Sequence, residues 1–146
     1  MGKNGSNIDM HLKKFEAVAA MQTRDPNAWQ LVNALIEQRK WNIEVFMERS
    51  CLDENSFYKA QRGDPAPPSL QTLMAICIAM NLDMSAAEVL FGAAGIRLST
   101  AISLHRAYIY IINHLTGQPI SVCNEFLRRL HFKELGSANY FSKIAS

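Results

Sequence analysis

Apolar residues recur three and four positions apart along most of the chain, the spacing of one helix face. Leu12, Phe15 and Ala19 form the first such set, and Asp9 ahead of them predicts a capped helix over about 9–22. Asp25 and Pro26 read as the N-cap and first residue of a second helix, which reaches about Lys40 with Ala28, Leu31, Val32 and Leu35 inward. Residues 42–63 then read as two short helices joined by a tight turn at 50–52. Asn42 caps the first, and Phe46 and Met47 give it an apolar side; Asp53 caps the second, Phe57 and Ala60 face inward, and Gly63 stops it. Trp41 is expected to pack behind this pair.

The prolines at 65, 67 and 68 exclude helix and make a stiff loop. Ser69 caps the next helix, with Leu70, Leu73, Cys77 and Met80 at helical spacing; apolar almost all round, it is the expected central element. Ser85 to Glu88 reads as a capping box opening a short helix that Gly95 ends. Ser99 or Thr100 caps a long helix to about Leu115, with the stripe Leu104, Tyr108, Ile111, Ile112 and Leu115, broken by Gly117 and Pro119. Ser121 caps another, holding Val122, Phe126, Leu127 and Leu130, and Ser137 starts a last one with Tyr140, Phe141 and Ile144. The chain is therefore expected to be all-α, with about seven or eight helices.

Helices as short as the pair in 42–63 cannot stand alone and must pack on neighbours. Phe46, Leu52, Phe57 and Ala60 serve that packing, which leaves Asp53, Glu54, Asn55, Tyr58, Lys59 and Arg62 on an outer face. A short, rigid, polar helix held out from a core has the shape that enters a major groove. The same spacing also fits an ordinary helical hairpin.

With Leu35, Trp41, Phe46, Leu52, Phe57 and Ala60 in register, the segment resembles the lambda-repressor-like (XRE) helix-turn-helix family. The start of the helix at 69–73, its end at 79–83 and the helix at 85–90 are similar to that family's fourth and fifth helices. The resemblance covers about 25–95. It implies a five-helix DNA-binding domain over 25–95, which leaves an expected mobile N-terminus and leading helix over 1–24 and a helical extension over 96–146. It also implies that the helix after Asp53 is the recognition helix, with Glu54, Asn55 and Lys59 meeting bases. Arg39, Lys40, Tyr58 and Arg62 are the expected backbone contacts, and double-stranded DNA the expected partner.

The segment departs from the family at four positions. Ile43 stands where the family often has a phosphate-binding glutamine, Met47 where it has a small alanine, and Cys51 where its turn has glycine. Glu54 puts a carboxylate where a neutral or basic side chain is usual. Residues 42–64 hold five acids (Glu44, Glu48, Asp53, Glu54, Asp64) against three bases (Arg49, Lys59, Arg62). Phosphate neutralisation dominates DNA affinity, so this balance opposes binding.

Composition sets outer limits. The 146 residues fit one compact domain, or one with an extension, and the 49% hydrophobic content is enough for a core. A net charge of +2 gives no long-range steering field. The cysteines Cys51, Cys77 and Cys123 are scattered and odd in number, as for reduced thiols in a cytoplasmic protein. The longest apolar run, 73–80, is too short to span a bilayer, and the first residues do not read as a signal-peptide h-region.

His11, Lys13 and Lys14 read as a solvated face or an N-terminal basic arm, and Arg128, Arg129, His131 and Lys133 as a solvated helix end. Residues 107–111 and 139–143 bear a loose likeness to half of an AraC-type unit, but the segment between them is too long. A helical extension that finishes the core or makes a dimer is preferred there, and part of the stripe Leu104, Tyr108, Ile111 and Ile112 is the expected seam of a homodimer. His11, His105, His114 and His131 lack metal-ligand spacing, and no nucleophile elbow, phosphate loop or dinucleotide fingerprint is present. No enzyme activity, metal or cofactor is expected. The preferred function is that of a small transcriptional regulator. The alternative is a protein-interaction module on the same fold, an inhibitor or adaptor of anti-CRISPR-like or antitoxin-like kind.

Overall fold

The computed structural model describes residues 2–22 and 25–145. These form nine α-helices and no strand. They are α1 (Gly2–Gln22), α2 (Ala28–Gln38), α3 (Ile43–Ser50), α4 (Glu54–Arg62), α5 (Leu70–Ala79), α6 (Met84–Ala93), α7 (Ser103–His114), α8 (Ile120–Arg129) and α9 (Ala138–Ala145). The all-helical class expected from the spacing is the class observed.

The central helix is as expected. Leu73, Met74, Ala75, Ile76 and Cys77 are buried on every side of α5, and α3, α6, α7 and α8 pack around it. One continuous core joins Trp29 of α2 to Leu135 beyond α8. The extension after Gly95 therefore shares the core of the preceding helices. Tyr108, Ile111 and Ile112 are buried in that shared core, which corrects their expected role as a dimer seam; Leu104 and Leu115 are half-buried against it. The stripe is apolar because α7 packs on α5 and α6 of its own protomer.

Helix α2 is rotated from the expected face. Ala28, Trp29, Val32 and Ile36 are buried, whereas Leu31 and Leu35 are half-exposed. This helix has two apolar faces, and the sequence pattern does not say which one meets the core.

Several helix starts also shift. Asn27, not Asp25, caps α2 in a reciprocal capping box with Gln30, and Pro26 lies ahead of it. Asp83, not Ser85, caps α6 by accepting from the Ala86 N–H at 2.9 Å. Neither Ser99 nor Thr100 caps α7: the Ser99 N–H donates to His105 Nδ1 at 2.9 Å, and the helix starts at Ser103. Pro119, not Ser121, precedes α8, and Asp9 lies inside α1. Asn42, Asp53 and Ser69 cap as read.

The helix ends share one device. At α2, α4, α5, α6 and α8 a six-residue and a four-residue backbone bond close the last turn together, as in Trp41 N–H to Ile36 O and Lys40 N–H to Glu37 O. Such ends need a left-handed residue. Gly63 and Gly95 supply it in two cases, and Lys40, Asn81 and His131 adopt it in the other three.

Candidate nucleic-acid interface

The segment 42–63 folds as the inward residues require. Phe46 is fully buried, Leu52 and Ala60 nearly so, and the Phe46 and Phe57 rings lie 5.8 Å apart in a tilted contact. This holds α4 against α2 and α3. Cys51 takes a left-handed backbone (φ 55°) in the turn, where the resembled family has glycine. The conformation costs a non-glycine residue about 1 kcal/mol. Ser50 is buried and steadies the turn: its hydroxyl donates to Phe46 O at 2.6 Å and accepts from the Leu52 N–H.

The outer face of α4 carries Asn55, Tyr58, Lys59 and Arg62, all exposed. Glu54 lies at the same end as Asn55 and is half-exposed. Arg62 is paired with Asp64 at 3.0 Å. The Ala66 N–H and then the Arg62 guanidinium hold the Asp64 carboxyl below its ordinary range. Arg39 is placed differently from the expected phosphate contact. It is half-buried and donates to Met80 O at 3.0 Å, tying α2 to the end of α5. Lys40 is exposed. Arg49 lies over the Trp41 ring, 5.6 Å from its centroid.

The sequence gives no sign of what meets the N-terminal end of α4. The segment after α8 returns across the chain and seats on the α3–α4 turn. The Ser137 N–H donates to Cys51 O at 2.7 Å. Asp53 accepts from the Ser137 hydroxyl at 3.1 Å and from Asn139 Nδ2 at 3.3 Å, while its other oxygen caps α4. Lys143 Nζ donates to both Glu54 oxygens, at 2.7 and 2.6 Å. That bond is the chief cause of a Glu54 pKa below the ordinary value. Gly136 makes the approach: its φ is +111°, and an added Cβ would lie 2.7 Å from the Phe141 ring and 3.1 Å from Cys51 O. Of the expected base contacts, Asn55 and Lys59 stay on the open face and Glu54 is engaged by α9.

Among the described residues no group of three or more His, Cys, Asp and Glu side chains is arranged to hold a metal ion, and no helix is long and apolar enough to cross a membrane. Cys77 and Cys123 are buried, which pushes their thiols up to about 12 and about 11. Compared with protein-family models, curated proteins and solved structures, the chain matches none.

Proposed function

We propose that this chain is a sequence-specific DNA-binding protein, a small transcriptional regulator. In this reading α2 to α6 form a lambda-repressor-like helix-turn-helix domain, and α4 reads the major groove. The observation that carries it is the rigid seating of α4 by Phe57 and Ala60 with Asn55, Tyr58, Lys59 and Arg62 turned outward. Asn55 suits the N6/N7 edge of adenine and Lys59 the acceptors of guanine. Tyr58, Arg62 and Lys40 supply backbone contacts, and Arg39 is held away by Met80 O. Glu54 can accept from cytosine N4 once Lys143 has left it. The described form is therefore a closed one, in which α9 covers the end of α4 that would enter the groove first.

The test is selection of a binding site from random duplexes, followed by substitution of one reading side chain. Asn55→Ala should weaken binding at the selected site by about 1–3 kcal/mol and relax preference at one base position. Equal binding by the parent and N55A, read by titration at fixed salt, would remove Asn55 from the reading face.

The cover over Asp53 and Glu54 also favours a second reading, a protein-interaction module. Glu44 and Glu48 are exposed on α3, and with Asp53 and Glu54 they offer an acidic rim to a basic partner protein. Glu54→Arg would then weaken the partner complex without creating an operator.

A further inference from the structure

The face of α2 turned away from the core meets α6 in an open groove of about 500 Å³. Leu31, Ala34 and Leu35 line one wall and Leu82, Ala86 and Val89 the other. Val89 in the α6 wall is 65% exposed. The same chain carries an apolar helix face without a seat. Residues 7–17 of α1 are all exposed, and Ile8 (60%), Leu12 (53%) and Phe15 (68%) lie at i, i+4 and i+7 on one side of it.

We propose that α1 of a second copy of this chain fills the groove, and that two protomers exchange their N-terminal helices about a two-fold axis. The dimensions match. Ile8 to Phe15 and Leu31 to Gln38 are both seven steps along a helix, about 10 Å each. The exposed stripe of α1 does not line the groove of its own chain, which favours exchange over folding back. Asn27 is pinned at the start of α2 by its capping box and by Nδ2 donating to Gly63 O at 3.1 Å. Pro26 fixes its own φ and biases Asp25 toward an extended conformation. These two residues set the direction in which the chain enters α2. One exchange buries both apolar features of both copies, and a two-fold arrangement closes without leaving a free groove. The pairing does not depend on DNA binding, although it would join two α4 helices in one particle.

The test is mass and cross-linking of the full chain without DNA. Sedimentation should give a dimer, twice the 16.4 kDa chain. Phe15→Asp and Val89→Asp, both at exposed positions, should each weaken it more than about tenfold with helical content unchanged. Oxidising a mixture of the single variants Phe15→Cys and Val89→Cys should give a covalent heterodimer. A monomer at every concentration would overturn the proposal, and so would a dimer that both aspartates leave intact. An intramolecular cross-link in the double cysteine variant, with no covalent dimer, would show α1 in its own groove and overturn the exchange.

Discussion

Replacing Gly136 with valine should raise affinity for duplex DNA by about 10–100-fold, as the N-terminal end of α4 is uncovered. The estimate rests on what holds the cover. Three neutral or charge-assisted hydrogen bonds reach Cys51 and Asp53, each worth about 0.5–1.5 kcal/mol net. The Lys143–Glu54 pair adds little, because both side chains are well exposed. A closed form favoured by about 1.5–3 kcal/mol lowers apparent affinity by roughly one to two orders of magnitude. Valine at 136 breaks the seat because φ +111° is poorly open to a β-branched residue and its Cβ would strike Phe141. Lys143→Glu sets like charges together and should open the cover less. Acid acts in the same direction. Glu54 has its pKa lowered in the folded chain, so its tie to Lys143 is present above the ordinary value of 4.5 and is lost as pH falls through the lower folded value. Unchanged DNA affinity in G136V, with helical content and melting intact, would show that α9 does not guard the head.

The second large effect is on stability. Phe46→Ala should cost about 3–5 kcal/mol, seen as a lower urea midpoint with little change in slope. Phe46 is fully buried and meets the ring of Phe57, so its loss opens a cavity between α3 and α4 where neither helix can close in freely. Such a loss is a large share of the roughly 5–15 kcal/mol that a domain of this size has. A cost under about 1 kcal/mol would mean that the two helices are held by other contacts.

What the sequence made legible was whatever depends on local spacing. Phe46, Leu52, Phe57 and Ala60 point inward as their positions require, α5 is buried all round, and Asn42, Asp53 and Ser69 cap their helices. Helix ends were harder to read. Lys40, Asn81 and His131 take left-handed turns that sequence reading assigns to glycine, and the tertiary fold outweighs that preference. Starts at Asn27 and Asp83 were missed because Asp25–Pro26 and Ser85–Glu88 are stronger local signals than the caps actually used. Apolar stripes say that a face is covered but not by what. Tyr108, Ile111 and Ile112 looked like an interface and belong to the core, while Leu31 and Leu35 looked like core and line a groove. The seat of α9 is out of reach because Lys143 and Glu54 are 89 positions apart and no local pattern pairs them.

The central claim is that α4 binds duplex DNA, and salt dependence tests it most directly. Lys40, Lys59, Arg62 and Tyr58 can touch few phosphates, and Glu44 and Glu48 repel the same backbone. Each neutralised phosphate steepens the fall of log K with log salt by about 0.9, so the three cations give a slope of roughly −1 to −3 per protomer. The measurement is titration of the parent and G136V with a selected duplex and a random one across a salt series. The account predicts that slope for both proteins, tighter binding by G136V, and preference for the selected duplex. No binding by G136V to either duplex at the lowest salt, in a variant that remains folded, would contradict the claim and leave the acidic rim of α3 and α4 as a surface for a protein partner.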